Sequence, residues 1–238
     1  MDIKKNISQN SFFYKLYLYY NLYIRHKALK KKFTYSQHKD DLFINSYFKD
    51  KNKGFYLDVG CYHPIMYSNT ALLHDRGWQG VNIDMNQTSI DLFNILRKKD
   101  KNICAAISNK RQETIQYFDH AFSPINSLDK KFSDIASKTI SFNHHTEKKI
   151  NTYTFDQIAQ MHNIEVRQID FINIDVEAHD FEVLEGMNLS SFDAKMICIE
   201  LTNSYNNQED KKFRDYLSKY NYSLIKKIGL NGFFELQK

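Results

Sequence analysis

Proline and glycine are scarce in this sequence: 238 residues hold two prolines and seven glycines. With so few breakers there is no linker rich in Pro, Gly or Ser, and no internal repeat is visible. The length then suits one sizeable α/β domain with a small extension. Cysteine is scarce too. Cys61, Cys104 and Cys198 lie far apart, in or beside apolar strand-like runs, and no pair has zinc, redox or iron–sulfur spacing. Three buried reduced thiols are expected, which points to the cytoplasm. Long apolar runs are missing as well. The N-terminal run follows Lys4 and Lys5, but it contains Lys15 and Asn21 and has no small-residue cleavage site. It is therefore neither a secretory signal nor a bilayer span. Charge of one sign is not in great excess. The net charge is +5, with scattered lysines, which argues against a dedicated nucleic-acid binder and leaves room for one basic face. Hydrophobic residues make up 42%, enough for a core, so disorder is not the default.

What is present divides the chain at about residue 50. Residues 1–50 form a helical extension that is aromatic and then basic. Phe12, Leu16, Tyr19, Tyr20 and Tyr23 fall near one helical face, and Arg25, Lys27, Lys30, Lys31 and Lys32 follow. The preferred expectation is a helix packed on the domain through that stripe. The alternative is peripheral contact of residues 11–33 with an anionic membrane, which would hold the protein at the inner face.

Residues 51–238 alternate apolar strands with helical segments. The strand candidates are 55–59, 81–84, 103–107, 171–175 and 196–201. The helix candidates are 69–76, 89–98, 156–161, 180–187 and 209–220. Such alternation predicts a mostly parallel sheet with helices on both faces. Strands 222–228 and 232–236, joined through Gly229-Leu230-Asn231-Gly232, predict a terminal antiparallel hairpin. Residues 109–151 fit the alternation poorly and read as an insertion over the strand ends, in the manner of a substrate lid.

The first strand ends in Asp58-Val59-Gly60, where Gly60 allows a tight turn and close approach of a ligand. The next strand ends in Asp84, about twenty residues further on, where a carboxylate can accept hydrogen bonds from two ribose hydroxyls. The dinucleotide fingerprint G-x-G-x-x-G is absent, since Tyr62 and Ile65 stand at the second and third glycine positions, and there is no P-loop. A ribose ligand without pyrophosphate fits S-adenosylmethionine, with Asp58 offering negative charge to its sulfonium or amino group.

A second group of ionisable residues, Asp175, Glu177, His179, Asp180 and Glu182, follows the strand 171–175. Ligands in α/β folds sit at such strand ends. For transfer to a neutral hydroxyl, His179 is the candidate base because imidazole titrates near neutrality. Asp175 would orient His179 or face the acceptor. Glu177 would bind acceptor hydroxyls or favour the first helical turn through its dipole. Glu182 and Glu185 read as solvated helix residues, and His144-His145 as a solvated loop. An alternative places Mg²⁺ on Asp175, Glu200 and Asn203 to lower the hydroxyl pKa, although the metal-free arrangement is preferred.

The segments Tyr56-Leu-Asp-Val-Gly60, Arg76-Gly-Trp-Gln-Gly-Val-Asn-Ile-Asp84, Ala105-Ala-Ile-Ser108, Thr154-Phe-Asp156 and Ile174-Asp-Val-Glu-Ala-His-Asp-Phe-Glu-Val-Leu-Glu-Gly-Met187 resemble the FkbM family of S-adenosylmethionine-dependent methyltransferases. The resemblance runs through most of residues 54–201. It implies a class I Rossmann-like fold and O-methyl transfer to sugars, glycans or other small hydroxylated metabolites. It implies cofactor contacts at Asp58, Gly60 and Asp84, with Cys61 and Met85 beside them, and at Ala106 and Ile107 within the loop Ala105–Ser108 beside the adenine. Ser127 would lie near the cofactor. Two positions depart from the family pattern. Ala178 replaces a glycine, so a positive φ there would be strained, and His63-Pro64 replaces a glycine-containing turn. A nucleic-acid methyltransferase is the enzymatic rival. The prolines occur only in His-Pro and Ser-Pro contexts, so the Asn/Asp-Pro-Pro-aromatic loop used to hold a flipped base is missing. A non-catalytic S-adenosylmethionine-binding module is the third alternative.

Overall fold

The computed structural model describes residues 11–119, 127–139, 146–201 and 207–237. Strands β1 (Phe55–Val59), β2 (Gln79–Asp84), β3 (Lys101–Cys104), β7 (Phe171–Ile174), β8 (Met196–Glu200), β9 (Tyr222–Ile228) and β10 (Asn231–Leu236) form one sheet in the order β3-β2-β1-β7-β8-β10-β9. All pairings among β3, β2, β1, β7 and β8 are parallel. β10 is antiparallel to both β8 and β9, so the hairpin inserts its second strand between β8 and its first. This is a doubly wound Rossmann-like sheet of the methyltransferase type, closed at one edge by the expected antiparallel hairpin. A second sheet, β4 (Ala106–Ile107), β6 (Thr146–Tyr153) and β5 (Gln112–Asp119), with α5 (Lys130–Thr139) between β5 and β6 along the chain, covers much of the stretch that reads as irregular in sequence. The run 103–107 is not one strand: it breaks at Ala105, whose N–H donates to the Asp84 carbonyl, and its two halves join different sheets.

Period-two alternation sends side chains from each strand to opposite faces. On one face Leu57, Val59, Ile83, Ile172, Ile174, Ile197 and Ile199 pack with Phe155 and Ile158 of α6 (Phe155–Met161), Val183 and Leu184 of α7 (Asp180–Glu185), and Phe213 and Leu217 of α8 (Asn207–Ser218). On the other, Tyr56, Phe171, Met196, Cys198 and Phe233 meet Ile44 and Phe48 at α2 (Asp40–Tyr47) and Leu73 of α3 (Ala71–Asp75). Strands buried on both faces explain their nearly continuous apolar sequences. They also hold the tips of β1, β2 and β7 side by side, which is the frame of the site.

The N-terminal segment departs from expectation. Helix α1 (Phe12–Tyr19), capped by Ser11, continues as a wider π-helical stretch over Tyr20–Arg25. It does pack on the domain, but through Tyr14, Leu18 and Leu22 against Leu92 of α4 (Gln87–Leu96). The Tyr14 hydroxyl donates to Asp91 (2.6 Å), which helps fix the register. Phe12, Leu16, Tyr19 and Tyr20 of the expected packing stripe are exposed, and Tyr23 alone is partly buried. Both faces of the helix are apolar, so helical periodicity finds a stripe without telling which one is covered. All three thiols are free, but Cys104, on the edge strand β3, is exposed rather than buried.

Candidate functional site

The turn after β1 is pressed against the loop that follows β7. Gly60 has φ +82°, and a Cβ there would lie 1.8 Å from the Asp175 carbonyl oxygen, so no other residue fits without moving the backbone. Beside this contact, a cleft opens between Val59, Gly60, Tyr62, Ile83, Asp84, Met85, Ala105–Ile107, Leu128, Asp175–Glu177 and His179. Of the expected cofactor residues, Gly60, Asp84, Met85, Ala106 and Ile107 line it. Asp84 accepts the Tyr62 N–H on Oδ2 (2.9 Å) and the Asn86 N–H on Oδ1 (2.7 Å). Its carboxylate is thus oriented by the backbone at the β2 tip. Such a carboxylate fits a ribose diol, and the apolar walls at Ile83, Met85, Ala106 and Ile107 fit an adenine ring.

Asp58 and Cys61, also expected beside the cofactor, do not line the cleft. Asp58 is fully buried. It accepts from Thr70 Oγ1 on Oδ2 (2.7 Å) and from Asn173 Nδ2 on Oδ1 (2.9 Å), so its charge is spent inside the fold rather than on a ligand. The buried Arg97 donates to Thr70 Oγ1 (2.8 Å), the Pro64 carbonyl, Ser68 Oγ and Tyr56 Oη, and so supports the loop carrying Gly60 from beneath. Nothing in the sequence around Arg97 marks it as internal. Its partners come from separate elements and meet only when the sheet forms.

His63, which departs from the glycine pattern, has a structural use. Its Nδ1 accepts the N–H groups of Ile65 (3.2 Å) and Met66 (3.1 Å), which leaves Nε2 as the donor to Asn21 Oδ1 (2.8 Å). The neutral ring therefore latches the N-terminal helix to the turn after β1. Burial is the main force pushing its pKa down, to about 3, with His26 and Arg97 adding repulsion. The folded pKa lies below the unfolded value near 6.5, so the stability His63 contributes is present above that value and is lost as the pH falls toward 3. Between pH 6.5 and 5 the loss should be about 2 kcal/mol. Urea unfolding of the wild type and His63→Gln should accordingly differ most at neutral pH and converge on acidification. A gap that stays constant with pH would dismiss the neutral latch.

At the β7 tip, carboxylates are crowded. Asp175, Glu177, Asp180 and Glu200 are all largely buried, and burial is the leading cause that pushes each carboxyl pKa up. Mutual repulsion adds to this for Asp175, Glu177 and Asp180, and Glu177 reaches about 10. Glu177 and Ala178 have φ of +57° and +72°, so the strain anticipated at Ala178 extends over two residues. The turn is tied down by Ser127 Oγ, which donates to the Glu177 carbonyl (2.6 Å), and by Asp180 Oδ1, which accepts the Val176 N–H (3.0 Å). Ser127 therefore acts on this turn.

His179 lies in the cleft wall, but its ring is engaged. Nε2 is 3.0 Å from Ser108 Oγ, and Nδ1 is 3.7 Å from Glu182 Oε2. Burial lowers its pKa, so the ring is neutral near pH 7. Both nitrogens being directed at protein groups makes His179 a weaker base candidate than its sequence context implies. Glu177, in contrast, lines the cleft, and its carboxyl has no hydrogen bond to the described residues.

The metal arrangement finds no geometric support. Among the described residues no three His, Cys, Asp or Glu side chains are grouped to hold a metal ion. Asn203, like His144 and His145, lies outside the described residues. Tyr62 and Leu128 line the cleft without having been singled out by sequence; Leu128 comes from the insertion, and no local pattern marks it.

A groove lies on the other side of the 177–180 turn, lined by Asp129, Lys131, Phe132, Ile135, Ala178, Asp180, Phe181, Glu182, Lys212 and Phe213. Alternate residues of one turn thus face the cleft and the groove. Lys212 sits 3.4 Å from the centre of the Phe181 ring, which in turn meets Phe213 edge-on.

Comparison with known families matches residues 58–224 to the one described as Methyltransferase FkbM domain. No curated protein matches the chain.

Proposed function

We propose, because the chain belongs to the FkbM methyltransferase family, that it uses S-adenosylmethionine to methylate a hydroxyl of a sugar, glycan or other small hydroxylated metabolite. The observation that carries this reading is the backbone-oriented Asp84 carboxylate, in a largely apolar cleft whose opposite wall is carboxylate-rich. When bound, S-adenosylmethionine supplies an activated methyl group on a positively charged sulfur. Asp84 would hold the ribose hydroxyls, and Ile83, Met85, Ala106 and Ile107 would enclose the base. Asp175 and Glu177 would face the positive end, which favours their ionised forms.

Transfer is an in-line displacement, so alignment of the acceptor oxygen provides much of the rate and removal of its proton the rest. We assign proton acceptance to Glu177, with Asp175 neighbouring it and His179 holding the cleft wall through Ser108. The adjoining groove offers aromatic faces, carboxylates and amines, a mixture suited to a polyhydroxylated acceptor. The three free thiols accord with a reducing compartment, and a cytoplasmic setting is part of this proposal.

The test is incubation of the protein with methyl-labelled S-adenosylmethionine and a cell glycan extract, followed by product mass. Labelled methyl on carbohydrate hydroxyls is the expected result. Label in nucleic acid, or tight cofactor binding with no transfer to any fraction, would select one of the rival readings instead.

A further inference from the structure

The second apolar face of the N-terminal helix has no use in the cleft. On a helical wheel Phe12, Leu16, Tyr19 and Tyr20 cluster opposite Tyr14, Leu18, Asn21 and Leu22, the side that packs on α4. The outward set is exposed, and apolar exposure continues beyond the helix: Phe12 and Phe13 are 69% accessible, Ile24 66%, Leu29 86% and Phe33 78%. Scattered surface apolar residues need no explanation, but such a concentration within one short segment marks an interaction surface.

Charge identifies the occupant. Residues 11–39 contain Lys15, Arg25, Lys27, Lys30, Lys31, Lys32 and Lys39 and no Asp or Glu. These seven positive charges exceed the +5 of the whole chain, so the remainder is net acidic. Arg25, Lys27 and Lys30–Lys32 are exposed among the exposed apolar side chains. A second copy docking face to face would set these cations against one another. An anionic bilayer would instead accept the aromatic rings at headgroup depth and attract the lysines. No helix among the described residues is long and apolar enough to cross a membrane. The helical stretch Phe12–Arg25 is about 20 Å long, which suits lying in the interface.

We infer that this face docks the protein on the surface of an anionic lipid bilayer, with Phe12, Phe13, Ile24, Leu29 and Phe33 inserted and the Arg25–Lys32 cluster on the headgroups. Attachment would bring the cleft to acceptors held at a membrane. The inference does not depend on the identity of the acceptor.

The experiment is co-sedimentation of the full chain with vesicles of phosphatidylcholine alone and of phosphatidylcholine mixed with phosphatidylglycerol. Binding should be at least tenfold stronger to the mixed vesicles and should weaken as salt rises. Lys30→Glu/Lys31→Glu/Lys32→Glu and, separately, Phe12→Ser/Phe13→Ser should each reduce it at least tenfold. Thermal unfolding of each variant should stay close to the wild type, since these side chains are exposed and Lys32 meets the buried Tyr35 ring only at 5.8 Å from its centre. Equal binding to both vesicle types, absence of binding, or concentration-dependent dimerisation in sedimentation equilibrium that Phe12→Ser/Phe13→Ser abolishes, would each overturn the inference.

Discussion

Asp84→Ala should weaken S-adenosylmethionine binding about a hundredfold, the largest effect expected on the cofactor side. A ribose diol would donate two hydrogen bonds to an ionised acceptor, and bonds of this kind contribute about 1.5–3 kcal/mol each. Losing roughly 3 kcal/mol is about two orders of magnitude in Kd. The substitution also frees the Tyr62 and Asn86 N–H groups, which shape the loop around the cleft. Asp84→Asn separates the two contributions, because its remaining oxygen can still serve one of those donors; it should lose about tenfold. Titration calorimetry with both S-adenosylmethionine and its demethylated product gives a further check. The ribose is common to both, so Asp84→Ala should weaken the two equally. An unchanged affinity for either removes Asp84 from the ribose site, and loss confined to the methylated form would move it toward the sulfonium.

Glu177→Gln should lower kcat by at least about a hundredfold, the usual scale for losing a positioned general base, while changing cofactor affinity much less. Gln preserves size and can still hydrogen-bond an acceptor hydroxyl, but it cannot take the proton. The pH profile is the sharper readout. Burial comes first in holding the Glu177 carboxyl up to about 10, and Asp175, Glu200 and Asp180 add to it. A cationic cofactor in the cleft should bring that value down. Since the ionised form is the active one, wild-type turnover should rise with pH on the neutral-to-alkaline side, and the variant's residual turnover should be flat. Stability gives an independent sign. A carboxyl whose folded pKa is raised contributes stability below about 4.5, the ordinary value, and loses it as the pH rises toward 10. Without its ligand, Glu177→Gln should therefore melt at a higher temperature than the wild type at pH 8. His179→Asn should cost turnover less than Glu177→Gln; the opposite ranking would return the base to His179, as its sequence context implies.

The candidate site was legible where chemistry follows from position along one strand. Asp84 and Gly60 stand at the ends of short apolar runs, and those runs have nowhere to go but a buried sheet. The acidic segment after β7 was visible for the same reason. Asp58 looked equivalent to Asp84, yet one points into Thr70 and Asn173 and the other into the cleft. A shift of one residue along a strand reverses the face a side chain occupies, and a one-residue reading of where a strand tip ends is beyond pattern alone.

The sequence by itself determined the alternation of strands and helices, the terminal hairpin and the family's segments, because hydrophobic periodicity and turn chemistry are local properties. Only the tertiary structure decided which carboxylates share a cavity, that Arg97 lies buried beneath the Gly60 loop, that His63 latches Asn21, and which face of the N-terminal helix is covered. Each of these depends on groups far apart in the chain meeting in a low-dielectric interior, where burial and neighbouring charge set the protonation state and remaining capacity of every polar atom. Periodicity records that a side chain has a face; packing alone records what that face meets.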